Sequence, residues 1–175
     1  MNRFAIAAAV VGIVGCGGGS GSGSFTIRGQ SFSPAETIST VQTNSSTSVG
    51  VVIFSGRSGI CALAASNTNP KNTKGLIIVL SNNGAAPIAG AYTVTTTFSA
   101  GKIAVAQFVS YDNTCNDITA QEANGASGTV TLTSVSGNAL AGTFDITLDS
   151  GDHITGSFTG TACVIPSSTG TASCG

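Results

Sequence analysis

The stretch LAGTFDITLDSGDHITGSFT, residues 140–159, carries the clearest strand pattern in the chain. Leu140, Gly142, Phe144, Ile146 and Leu148 recur at every second position, and Ala141, Thr143, Asp145 and Thr147 fill the places between. A period of two is the mark of a strand with one buried face, because successive side chains of a strand point to opposite sides. Asp149-Ser-Gly-Asp152 supplies turn residues, and His153 to Thr159 alternates back with Ile154 and Phe158 inward. Upstream, Thr129 to Val135 alternates in the same way and ends in Ser136-Gly-Asn138. The last third of the chain therefore predicts a three-stranded antiparallel meander.

Toward the N-terminus, Phe25 to Phe32 and Thr37 to Gln42 read as short strands. Val49 to Phe54 and Leu76 to Leu80 are continuously apolar, as for central strands covered on both faces. Ala91 to Phe98 alternates with Tyr92, Val94 and Phe98 inward, and Lys102 to Tyr111 follows the Ala100-Gly101 turn. One or two helical turns fit only around Ile118 to Ala123. The expectation is an all-β domain, an antiparallel β-sandwich or small β-barrel of about 8–10 strands.

Composition narrows the function classes. Charged residues make up 7% of the 175-residue chain, against about a quarter in an average globular protein. Six basic residues, none adjacent to another, cannot form the cationic patch that nucleic acid requires, so no nucleic-acid partner is expected. Trp is absent and Tyr occurs twice, which counts against an aromatic sugar platform. A membrane-spanning barrel would need aromatic girdles that these residues do not supply.

The N-terminus reads differently. After Arg3, residues Ala5 to Val14 are uncharged and, apart from Gly12, apolar. This run is too short to cross a bilayer as a helix but suits the apolar core of a secretory signal. Ile13-Val14-Gly15-Cys16 follows, and it resembles the lipobox of bacterial lipoprotein precursors. The resemblance covers only these first residues. It implies cleavage between Gly15 and Cys16, lipidation of Cys16, and contact with a membrane through that lipid. Gly17, where an Asp would retain the protein at the inner membrane, points by the same resemblance to export to the outer membrane. The expected division is a signal peptide over 1–15, a lipidated Gly/Ser tether over 16–24 and a single β domain over 25–175.

With Cys16 assigned to lipid, Cys61, Cys115, Cys163 and Cys174 remain, an even number in an exported chain. Two disulfides follow. The preferred pairing is Cys61–Cys115 with Cys163–Cys174, the second closing a short Pro/Ser/Thr/Gly loop. The alternative is Cys61–Cys163, leaving Cys115 to reach Cys174. None of the cysteines forms the close pairs of a zinc site, and His153 is the one histidine.

Other chemistry is sparse. Asp112, Asn113, Asn116 and Asp117 share an oxygen-rich loop that lacks the regular spacing of a calcium site, and Asx residues build turns unaided. Asp149, Asp152 and His153 gather at a hairpin tip with no nucleophile elbow in the chain. Arg57, in Ser55-Gly-Arg-Ser-Gly59, reads as a turn rather than a phosphate cradle. No catalytic residue, cofactor or metal is assigned. The sequence points to an envelope lipoprotein with a structural or loop-mediated binding role, its partner an envelope protein or small ligand. The alternative is a barrel that binds a small apolar or carbohydrate ligand inside; a hydrolase ranks below both.

Overall fold

A computed structural model describes residues 20–44, 46–166 and 171–175. The proposed signal segment and Cys16 lie outside the described residues. In chain order the first strands are β1 (Ser20–Ser22), β2 (Phe25–Ile27), β3 (Gln30–Phe32), β4 (Glu36–Asn44) and β5 (Thr47–Ser55). A short helix, α1 (Ile60–Ala65), precedes β6 (Thr68–Asn69), β7 (Thr73–Asn82), β8 (Gly90–Val94) and β9 (Lys102–Tyr111). A 3-10 turn at Thr119–Gln121 leads into β10 (Ala123–Ser136), β11 (Ala139–Leu148) and β12 (His153–Thr159), followed by β13 (Thr161–Ala162) and β14 (Ser173–Cys174).

The meander is present as read: β10, β11 and β12 pair antiparallel, with Thr147 opposite His153 across the hairpin. Leu140, Phe144, Ile146 and Leu148 are buried while Thr143 and Asp145 are exposed. Ten strands join one sheet in the order β1-β12-β11-β10-β8-β9-β7-β5-β4-β13. The sheet curls into a nearly closed barrel, so the all-β expectation holds in its barrel form. Antiparallel pairing dominates, but β8 lies parallel to β9 and β13 parallel to β4.

The barrel closes along a seam where β4 meets β11 and β1, and the Ser39 and Asn138 side chains bridge it. The buried Ser39 hydroxyl on β4 accepts from Leu140 N at 2.9 Å and donates to Asn138 O at 2.8 Å. Asn138 Oδ1 accepts from Val41 N at 3.2 Å. Side chains thus satisfy backbone groups that a longer β-ladder would otherwise pair, as buried polar groups require.

The interior is filled. Tyr92, Phe54 and Phe108 are among its largest fully buried side chains. Phe54 packs edge-on against Phe144 and Phe158, at 5.4 and 5.8 Å between centroids. The 25–32 segment is not one strand but a tight hairpin, β2–β3, turning at Arg28-Gly29 where both φ angles are positive. Phe25, Ile27 and Phe32 are buried in the core, and Phe32 meets Phe108 edge-on at 5.5 Å.

Three local expectations are corrected. Ser20–Ser22, assigned to the tether, pairs with Ser157 to Thr159 as strand β1. The cause is spatial: Gly21 fits where a Cβ would fall 2.6 Å from Thr37 Oγ1 and 2.9 Å from a ring carbon of Phe54. The strand expected over 91–98 stops at Val94, and Phe98 is 49% exposed rather than inward. A chain that runs parallel into the neighbouring strand must turn back, and Thr95 Oγ1 bonds Thr97 O in that reversal. The continuously apolar β5 and β7, expected to be covered on both faces, alternate instead between fully buried and half-buried positions, and only part of the outer face of β5 is covered, on the side of α1. Ile38, Ile60 and Cys163 form a second buried cluster there, joined by Ile53 and Leu63.

Candidate functional site

The disulfides fix which segments meet. Cys61 bonds Cys163 and Cys115 bonds Cys174, with Cα separations of 5.8 and 5.7 Å. This corrects the preferred pairing and matches the alternative. β13 runs parallel on β4, which delivers Cys163 to the side of α1 rather than into a local loop. β14 runs parallel on β6 and carries Cys174 toward the 112–117 loop. Both long-range pairings override the short loop that made Cys163–Cys174 attractive.

The Asp112 loop is an internally bonded turn. Asp112 Oδ1 accepts from Thr114 N at 2.7 Å, Thr114 Oγ1 at 2.7 Å and Asn116 N at 3.0 Å. The Thr114 hydroxyl, then the Asn116 and Thr114 amides, hold this carboxyl below the ordinary range. Cys115, at φ 62°, is the left-handed residue that lets the turn close. The Oδ1 of Asp112 is already committed to three donors. Among the described residues no three His, Cys, Asp or Glu side chains gather as metal ligands.

Asp149 and Asp152 are brought together with a residue that no local pattern joins to them. Arg28, in the β2–β3 turn, donates its backbone N–H to Asp152 Oδ2 at 2.8 Å. Its Nε donates to Glu122 O at 2.5 Å, and its Nη2 stands 3.8 Å from Asp149 Oδ1. Asn124 binds Asp149 twice, through its backbone N–H at 3.0 Å and its Nδ2 at 3.1 Å. Backbone donation from Asn124 lowers the Asp149 pKa, and backbone donation from Arg28 lowers that of Asp152. Glu122 is pushed up, chiefly by burial and then by the charge of Asp117. The cluster clamps three turns together and leaves its carboxylates occupied.

His153 lies apart from that clamp. Its Nε2 is 2.7 Å from Asp145 Oδ1 on the neighbouring strand, with the side chains 56% and 69% exposed. The pair sits on the open outer face and no cleft shelters it among the described pockets. Arg57 lies in the connection that follows β5, where its backbone N–H bonds Ser55 Oγ at 3.2 Å, as a turn residue does.

The described surface has shallow recesses rather than an enclosed barrel cavity. A groove of about 180 Å³ lies outside the sheet between α1 and β7, floored by Ile53, Ile77 and Val109. A more polar cleft of about 440 Å³ opens beside the β2–β3 hairpin, where Lys74 Nζ bonds Gln30 Oε1 at 3.0 Å and Ser31 O at 3.3 Å. Ser110 Oγ bonds Gln121 Oε1 at 2.8 Å beside it. Sequence reasoning missed this cleft because its residues come from five separate segments with no shared motif.

Fold and surface define an all-β, barrel-like protein stapled by two disulfides. No family model matches this chain, and no curated protein or solved structure does either.

Proposed function

We propose that the chain is an exported, lipid-anchored envelope protein whose β domain has a structural or loop-mediated binding role. The carrying observation is the fate of the five cysteines. Four close two disulfides with none left over, and the fifth is Cys16 of Ile13-Val14-Gly15-Cys16. Disulfides persist in oxidising, extracytoplasmic compartments. An odd cysteine placed where a lipid attachment motif requires it then has a role that needs no partner thiol. Multiple acyl chains on one residue give stable anchoring where one alone is marginal. Gly17 in place of Asp favours the outer membrane as destination.

A packed interior supports interaction through loops rather than uptake of a ligand. Phe54, Tyr92, Phe108 and Phe144 occupy the space that a lipocalin-like barrel leaves open. The exposed His153–Asp145 pair and the saturated Asp149–Asp152 clamp favour a non-catalytic role. The test is metabolic labelling with an alkynyl palmitate analogue in a bacterial host. The wild-type chain is expected to be labelled and recovered with membranes, and Cys16→Ser to be unlabelled. Label that persists in Cys16→Ser, or never appears in the wild type, removes the reading.

A further inference from the structure

We infer that the barrel stands on the bilayer by one particular rim, the one that carries the 44–47, 83–89 and 137–138 connections. This deepens the anchored reading and rests on it. The geometry begins at Ser20. β1 pairs Ser20 with Thr159, and Thr159 pairs with Ala141 beside the β10–β11 turn. The registers Leu132 to Gly90, Asn82 to Lys102, Val49 to Ser81 and Asn44 to Thr47 carry the same rim around the barrel. The chain upstream of Ser20 therefore enters at this rim.

Its reach is short. From Cys16 to Ser20 is four residues, which span at most about 14 Å when fully extended. A lipid on Cys16 thus holds this rim within headgroup distance of the membrane, and the opposite rim stands a barrel-length away.

The two rims differ in chemistry. Among the described charged residues, Lys102 alone lies on the rim near Ser20. Its Nζ bonds Ala89 O at 3.2 Å and sits 5.7 Å from the Tyr92 ring centroid, so the charge is held against the domain. The exposed groups there are hydroxyls and amides of Thr43, Asn44 and Thr47, together with Ala85, Ala86 and Ile88. Ile88, 51% exposed, is one of three large apolar side chains left open on the described surface. The remaining charges lie on the opposite rim or the strand halves leading to it, including Arg28, Arg57, Lys74, Asp112 and Asp149. Carrying a charge into the apolar part of a bilayer costs more than carrying a hydroxyl or amide, and an alkyl group gains there, so the rim that the tether brings down is also the one that tolerates insertion best.

The chain contains no tryptophan, so a single introduced indole reports its own surroundings. Full-length lipidated Ile88→Trp and Arg57→Trp are to be reconstituted on vesicles of brominated phosphatidylcholine with phosphatidylglycerol. Ala86→Trp replaces Ile88→Trp if the latter fails to fold. Vesicle retention after a salt wash reads the anchor. Emission from Ile88→Trp is expected to fall about twofold or more relative to Arg57→Trp, with a blue shift, as an interfacial side chain should. Equal quenching of both, in protein that stays on the vesicles, overturns the orientation and leaves the anchor standing. Emission that follows protein concentration instead of lipid assigns this rim to a second copy and overturns it too. Protein that washes off fails the anchored reading and this inference with it.

Discussion

Gly21 and Thr37 touch across the seam, and each makes a different demand on stability. A Cβ at Gly21 would meet Thr37 Oγ1 and the Phe54 ring inside contact distance. Gly21→Ala is therefore expected to destabilise the domain by about 1–3 kcal/mol, the usual cost of forcing atoms into a packed site. A urea midpoint unchanged by that variant would return Gly21 to the tether. Thr37 is fully buried, and its hydroxyl has no hydrogen-bond partner among the described residues. Thr37→Val swaps that hydroxyl for a methyl of similar size and is expected to be neutral or stabilising by about 1 kcal/mol, since no bond is lost. Ser39, two residues on, behaves oppositely. Ser39→Ala strips the acceptor from Leu140 N at the seam and is expected to cost about 1–3 kcal/mol. The same urea titration ranks all three, and a Thr37→Val loss as large as that of Ser39→Ala would mean that the Thr37 hydroxyl is satisfied.

At the scale of elements, legibility followed the origin of each element's stability. The long strands β10, β11 and β12 bury one face each, so their alternation is written into the chain and was readable. β1, β6, β13 and β14 are two or three residues long and exist because distant segments accept them as neighbours. No local pattern of that length can announce a strand. α1 spans six residues, less than two turns, and is held from outside: Glu36 Oε2 accepts its first N–H from Ile60 at 2.9 Å, and Cys61 ties it to Cys163. Site residues divide in the same way. The turn formed by Asp149 and Asp152 was legible, but their partner Arg28 lies on a hairpin far away in sequence. The disulfides differ in access. Cys163 is 1% exposed, whereas Cys174 lies exposed on the two-residue strand β14. Attack by a thiolate requires reaching a sulfur, so Cys115–Cys174 is expected to open first in a stepwise dithiothreitol titration. Alkylation at each step and peptide mapping read the order; Cys61 and Cys163 labelled first, or all four together, would contradict it.

Across the whole molecule, charge is confined largely to one rim, and that rim is where acid should act first. The carboxyls of Asp112, Asp149 and Asp152 all have lowered pKa values in the folded chain. A carboxyl with a depressed folded pKa contributes stability above its unfolded value, about 4, and loses it as pH falls through the lower folded value. Glu122 runs the other way: its raised pKa means that ionisation costs stability, and protonation on mild acidification relieves that cost. The thermal midpoint should thus hold or rise slightly as pH approaches 5, then fall steadily from about pH 4 to 2. The leading cause in each of the three aspartates is a hydrogen bond, with Thr114, Asn124 or Arg28 as donor, and the Arg28 charge is a lesser cause for Asp149 and Asp152. Salt screens charge but leaves hydrogen bonds to fixed donors largely intact. Calorimetric scans across this pH range in low salt and in molar sodium chloride should therefore give nearly the same acid slope. Asp149→Asn combined with Asp152→Asn should reduce the slope to the part that Asp112 contributes, because neither amide titrates in this range and each keeps one oxygen to accept the backbone N–H of Asn124 or Arg28. A slope abolished by salt, or unchanged in the double variant, would move the acid-sensitive contacts away from the clamp that joins the 28–29, 122–124 and 149–152 turns.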